Sequence, residues 1–269
     1  VVGVAYGGPG CAGKPTVGDP MDDQGHGTHC AGTIGAAGNN ARGVVGVNWQ
    51  VQIMAGKFLD AYGSGGMAGA VMCLEYVLGM KSRGVNVVAT SNSWGGGPYS
   101  RALFDAIAAH QAAGILFIAA AGNDSSDNDG LPSYPGSYPI PNVISVAATD
   151  HNDNLASFSN YGRYSVHVAA PGENILSTMT PTSYDFPTPP DYPYYVLSGT
   201  SMACPHVAGL AALLKAQDPT RDWKAIRNLI LVGGDTRPST TGTTITGKRI
   251  NAGGSLAATT EALFAVLSP

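Results

Sequence analysis

The chain has 269 residues and 27.4 kDa, with 14 Lys and Arg against 18 Asp and Glu, a formal net charge of −4. A single domain of this mass buries roughly 70% of the surface its unfolded chain exposes, so neither disulfides nor a metal is needed to hold a core. Charged residues are only 12% and the basic ones are scattered singly, which excludes a phosphate-reading stripe and hence nucleic acid as a partner; the longest apolar run, Ile115–Ala121, is too short to cross a bilayer.

In chain order, the periodicity predicts a helix over Thr28–Ala37, a strand over Gln52–Leu59, a helix over Met67–Arg83 and a strand over Val85–Thr90. A helix over Arg101–Ala113 follows, then strands over Ile115–Ala120, Val143–Ala147 and Ser165–Ala169. Helices over Ser201–Ala216, Asp222–Val232 and near Ala257–Leu267 close the chain. β-Branched runs alternating with helical segments give an α/β fold: a mostly parallel sheet with helices on both faces, in three layers. Gly84 and Gly114 each follow a helix and precede a strand, as a left-handed helix end requires. Two segments break this rhythm, Asp124–Pro141 and Met179–Tyr195, and read as long surface loops. The second precedes the motif richest in chemistry, so it is expected either as part of a binding rim or as a disordered insertion.

Cys11, Cys30, Cys73 and Cys204 are too few and too widely spaced for a disulfide scaffold or a Cys-x-x-Cys zinc site. Cys30 and Cys204 read as buried apolar thiols on helices; Cys11 and Cys73 stay undecided.

Three motifs carry chemistry. In Gly25-His26-Gly27-Thr28-His29-Cys30 a histidine sits where a loop turns into a helix. Alone it would be a loop or capping histidine, and with His29 it has the spacing of a metal pair, although no third ligand accompanies them. In Gly199-Thr200-Ser201-Met202-Ala203-Cys204-Pro205-His206 a serine opens a helix, with Pro205 expected in the first turn. An N-cap serine is the plain reading. The alternative is a nucleophile at the positive end of a helix, where unpartnered backbone N–H groups receive a developing oxyanion. In Ala119-Ala120-Ala121-Gly122-Asn123 an apolar strand ends in a glycine and an amide, at the end of the sheet where ligands bind in open α/β folds. That amide is either a turn asparagine or an uncharged oxyanion donor.

In this order, and together with Gly43-Val44-Val45-Gly46-Val47, Ser93-Trp94-Gly95-Gly96-Gly97, Tyr134-Pro135, Ala156-Ser157-Phe158-Ser159-Asn160 and Ala169-Ala170-Pro171-Gly172, the motifs resemble the subtilisin family of serine proteases, the subtilases. The resemblance covers nearly the whole chain. It implies a secreted serine endopeptidase, with Ser201 as nucleophile, His26 as general base and acid, and Asn123 with the Ser201 N–H as oxyanion donors. It implies an extended polypeptide substrate lying between Gly63-Ser64-Gly65 and Ser93-Trp94-Gly95. The primary pocket would be walled by Ser93–Gly95 and by Ala120, Ala121 and Gly122, with Ser133 at its base; being uncharged, it favours large apolar side chains. A prodomain inhibitor and a monomeric state are implied as well.

The family's triad begins with an Asp in an Asp-Ser/Thr-Gly motif after an early strand, and that motif is absent. Asp19, Asp22 and Asp23 alone precede His26, all in the loop just before it, with Asp19 the best placed of the three. The chain opens at Val1 without Met or a signal-peptide pattern, so the expectation is a single catalytic domain lacking its first elements, with a strand missing from the sheet, an exposed edge and feeble activity. A peptide-binding pseudoprotease is the alternative. Calcium is the one cofactor the resemblance suggests: Asn40 would give a side-chain oxygen and Gly38, Arg42 and Val44 carbonyls, an incomplete shell for an ion that takes six to eight oxygens. Asp124, Asp127 and Asp129 form a second candidate cluster, or a solvated acidic loop.

Overall fold

The computed structural model describes residues 2–5, 21–181, 183, 186, 188–189 and 192–259. Its centre is an eight-stranded sheet in the order β2-β1-β3-β4-β5-β6-β10-β9, made of β1 Val2–Ala5, β2 Ile53–Gly56, β3 Ala89–Asn92, β4 Leu116–Ala120, β5 Val143–Thr149, β6 Val168–Pro171, β9 Asp235–Thr236 and β10 Lys248–Arg249. Every pairing is parallel except that of β9 with β10. A separate antiparallel pair, β7 Ile175–Thr178 and β8 Tyr194–Leu197, flanks it.

Side chains on a strand point alternately to its two faces, and β4 shows how this builds three layers. Leu116, Ile118 and Ala120 face the cluster formed with α1 (His26–Gly35), α4 (Thr200–Gln217) and α5 (Trp223–Gly233), while Phe117 and Ala119 face α2 (Met67–Ser82) and α3 (Arg101–Ala112). All five residues of β4 are buried. The long helix α4 runs under the middle of the sheet, against β3, β4, β5 and β6, and α1 packs on it. Both helices therefore begin at the C-terminal edge of the strands, where the chemistry-bearing residues converge.

Five of the predicted helices are present to within about two residues, and Gly84 (φ 92°) and Gly114 (φ 75°) adopt the left-handed conformation expected after α2 and α3. The final predicted helix, Ala257–Leu267, falls almost wholly outside the described residues; within them a short helix α6 spans Ala252–Ala257. Of the strands, β3 starts at Ala89, four residues later than predicted, because Val87 N bonds back to Val85 O in a tight turn, and the Val87 carbonyl accepts Lys81 Nζ instead of joining the ladder. β2 ends at Gly56, releasing Lys57, Phe58 and Leu59 from the sheet.

β1 pairs with β2 on one side (Val2 opposite Ile53) and with β3 on the other (Val2 opposite Ala89). Among the described residues the sheet runs from β2 to β9 without a break.

Candidate active site

His26 is the first residue of α1, and Asp22 builds the turn that delivers it. One Asp22 carboxylate oxygen accepts Gln24 N (3.0 Å) and Gly25 N (2.9 Å); the other accepts Thr28 N and Thr28 Oγ1 (both 2.7 Å). Thr28 N is an orphan donor of the helix start, and the carboxylate's charge suits the positive helix end. Asp23 pairs with the buried Lys57 at 3.2 Å. Asp22 and Asp23 thus serve the loop and the adjoining strand end; Asp19 lies outside the described residues. The His26 Nδ1 atom is 3.7 Å from Cys30 Sγ, one helical turn on. Burial and the neighbouring His29 push the His26 pKa down, to about 3, against the opposing pull of Asp22, which keeps the imidazole uncharged.

Ser201 is the second residue of α4. Pro205 is the sixth, inside the second turn and not the first as expected. A proline there has no N–H for the carbonyl four residues back, which is that of Ser201. The freed Ser201 carbonyl accepts Ser93 Oγ (2.8 Å) and Cys30 Sγ (3.4 Å) instead, while Ser201 Oγ donates to Ser93 O (3.3 Å). This exchange is why the helix tolerates Pro205, and it ties together α4, the β3 exit and α1. The Cys30 sulfur touches both His26 and Ser201, so the two motifs, distant in sequence, meet around one atom.

Cys30 is a free thiol with no solvent exposure, and burial pushes its pKa far above the usual thiol range. Iodoacetamide should therefore leave it unmodified in the native protein at pH 8, as read by peptide mass spectrometry, because alkylation needs the thiolate. A mercurial that does reach it should abolish any hydrolytic activity. Full activity after confirmed modification would contradict this placement.

Asn123 follows β4. Its side-chain oxygen accepts both Thr200 N (2.8 Å) and Thr200 Oγ1 (2.9 Å), which fixes the orientation of the amide. With the oxygen so committed, the NH2 is the end turned to other partners. A methyl placed on Gly199 would lie 3.6 Å from both Asn123 Nδ2 and Ser201 N, so the two donors border one small space. Asn160 braces the loop: its side-chain oxygen accepts Asp124 N and Ser126 N, and its NH2 donates to Asn128, which in turn donates to Ala121 O. Thr200, Asn128 and Asn160 were not among the candidates read from sequence. For Thr200 its place beside Ser201 was an available signal, and for Asn160 its place in the motif Ala156-Ser157-Phe158-Ser159-Asn160; for Asn128 there was none.

His26 and Ser201 line one cleft of about 450 Å³, together with Gly63, Ser64, Gly65, Ser93, Trp94 and Gly95. The predicted substrate segments 63–65 and 93–95 thus lie on the same cleft as the two catalytic candidates. Phe58, Leu59, Met67 and Ala70, which sequence reading passed over, also line it, with Phe58 edge-on to Trp94 at 5.2 Å between ring centres. The other predicted pocket wall is built around Gly122. Gly122 abuts Asn160 and Ser133, and Gly95 abuts the Tyr134 carbonyl. Ala120 and Ala121 offer only backbone there, since the Ala120 side chain belongs to the core around α4 and that of Ala121 packs with Ala147, Val166 and Ala169.

The residues read as calcium ligands do not fit such an ion by themselves. The loop Gly38–Val44 contains no carboxylate, and the Asn40 side-chain oxygen accepts Arg42 N (3.1 Å). In the acidic loop, Asp127 accepts Asp129 N, and Asp129 accepts Tyr164 N and Ser165 Oγ, pinning the loop to residues 164–165. His29 forms no metal pair with His26: its Nε2–H donates to Ile175 O (3.0 Å) and Tyr195 O (3.1 Å), clasping β7 and β8 to α1. His206 Nδ1–H donates to Met202 O within α4.

Fold and site define a three-layer α/β protein whose serine, histidine and asparagine gather at the C-terminal edge of a parallel sheet. The chain belongs to the subtilase family, whose sequence profile matches residues 12–241. It is 41% identical over 209 residues to Subtilisin Savinase of Lederbergia lenta, covering 77% of this chain and 69% of that protein, and equally to M-protease of Shouchella clausii, where 49% of the relative is covered. With Subtilisin-like protease 2 of Plasmodium falciparum it shares 38% over 200 residues, 73% of this chain and 14% of the relative. The chain thus spans about half or less of the length of several relatives it matches. Among solved structures, a protease of Pseudoalteromonas arctica superposes with a TM-score of 0.76 at 26% identity, covering 96% of this chain and 89% of that one. Among the described residues no helix is long and apolar enough to cross a membrane.

Proposed function

We propose that the chain is the catalytic domain of a serine endopeptidase that cuts extended polypeptides through an acyl-enzyme on Ser201. The observation that carries the reading is the shared cleft: His26 and Ser201 line it together, and Asn123 is held with its amide beside the Ser201 N–H. The Ser201 hydroxyl, which donates to Ser93 O, rotates toward His26, gives it the proton and attacks the substrate carbonyl. The negative oxygen of the tetrahedral intermediate is received by Asn123 Nδ2 and Ser201 N. His26 then passes its proton to the leaving amine, and water enters by the reverse sequence to release the acid. Substrate backbone lies between segments 63–65 and 93–95, adding as a strand, which favours binding with little sequence selectivity. Apart from His26 the cleft is lined by residues that carry no charge, which favours a large apolar side chain over Arg or Lys.

The same reading makes the enzyme a secreted monomer regulated by a prodomain inhibitor. It assigns the carboxylate that orients the imidazole to neither Asp22 nor Asp23, because both are engaged elsewhere. That engagement favours one rival, a peptide-binding pseudoprotease. A fluorophosphonate probe separates them: the folded protein should be labelled at Ser201, located by peptide mass spectrometry. Folded protein that stays unlabelled while still binding peptide would establish the rival.

A further inference from the structure

The connection between β7 and β8 was expected as a binding rim or a disordered insertion, yet its described residues Met179 and Ser183 pack against α1. Gly25 stands at φ 104°, the sharp turn immediately before His26. A methyl on Gly25 would fall 2.4 Å from Met179 Sδ and 3.1 Å from Ser183 Oγ, so this segment closes directly onto the turn. Ser183 is buried; its hydroxyl donates to the Gln24 carbonyl and accepts Phe186 N (2.9 Å). Gln24 is buried too, and its side-chain oxygen accepts the backbone N–H of His26 (2.9 Å). Deleting that hydroxyl removes one of the bonds that hold the turn, and the turn would shift to replace it.

The clasp continues along α1. Thr178 Oγ1 donates to Thr28 O (2.9 Å), Ser177 Oγ to His29 O (2.7 Å), and the Phe186 ring meets Tyr195 at 5.5 Å. Asp22 fixes the turn through its N–H groups, and the β7–β8 connection fixes it through its carbonyls.

We propose that Ser183, seated with Met179 against Gly25, is a positioning residue for the His26 imidazole, holding the Gln24 carbonyl and with it the turn from which the base projects. The proposal rests on His26 acting as the general base. Displacing a catalytic group by about 1 Å can cost about 100-fold in rate with no contact to substrate removed.

The test compares wild type, Ser183→Ala and Ser183→Thr for hydrolysis of a peptide p-nitroanilide and for fluorophosphonate inactivation, with thermal unfolding as the folding control. The expected result for Ser183→Ala is a fall in kcat of about 10–100-fold with KM within twofold, matched by slower inactivation, and substantial recovery of kcat in Ser183→Thr, which keeps the donor. Should Ser183→Ala not fold, Ser183→Cys, of similar shape but a weaker donor, carries the same expectation. An unchanged kcat, a loss residing in KM, or a threonine variant no better than alanine overturns the assignment. Wild type that fails to react with the probe overturns the protease reading itself, which keeps the two failures distinct.

Discussion

Ser201→Ala should lower kcat for peptide hydrolysis by about 10⁶-fold, a magnitude carried over from a subtilisin and not worked out from this structure, while leaving KM nearly unchanged. The split follows from where the hydroxyl sits. Ser201 Oγ donates to Ser93 O, whereas the backbone proposed to receive substrate, Gly63–Gly65 and Ser93–Gly95, does not depend on it. Removing the hydroxyl takes away the nucleophile and little else, since the Ser201 carbonyl keeps its bonds to Ser93 and Cys30. His26→Ala should cost about as much. The double variant should be no worse than either alone, because nucleophile and base act as one unit. Additive losses in the double variant would mean that the two residues work independently, and the acyl-enzyme mechanism would fail. The prediction is of ratios within this protein. The full size applies where a carboxylate orients His26; without one, about 3 × 10⁴ is already lost and roughly 10²-fold remains for Ser201→Ala to remove.

Local rules reached most of the fold. Glycines at 84 and 114 end their helices because a left-handed residue must follow, and the unbroken apolar run of β4 is buried on both faces because helices cover both. Serine, histidine and asparagine stood out as motifs whose neighbours matched their chemistry. What could not be read is what depends on distance along the chain. Ser183 and Gln24 are separated by 159 residues, and no pattern in either segment announces the other. Pro205 was misplaced because a rule about helix turns knows nothing of Ser93 and Cys30, the side chains that compensate the carbonyl it frees. Val2–Ala5 sits between β2 and β3 because two flanking strands offer it ladders on both sides, a fact of tertiary pairing. Asp22 was weighed only as a catalytic acid, and its capping of Gln24, Gly25 and Thr28 emerges once the turn is seen in three dimensions.

Asn123→Ala tests the other half of the machinery. Loss of one oxyanion donor should reduce kcat by about 10²–10³-fold, again the size known for a subtilisin, with KM little affected, because the donor matters only once charge develops on the carbonyl oxygen. The effect should exceed that of losing an ordinary surface hydrogen bond, since Thr200 holds the Asn123 oxygen through both its N–H and its hydroxyl, so the amide is oriented before substrate arrives. That arrangement gives a graded control. Thr200→Val removes the hydroxyl's bonds to Asn123 and to the Gly122 backbone and keeps the N–H bond, loosening the amide without deleting it, and its loss in kcat should fall between those of wild type and Asn123→Ala. In an Asn123→Ala background the same Thr200→Val change should add little, because there is no longer an amide to orient. Equal losses from Thr200→Val in both backgrounds would show that Thr200 acts on the helix start and not through Asn123. An Asn123→Ala variant with undiminished kcat would remove Asn123 from the oxyanion site altogether.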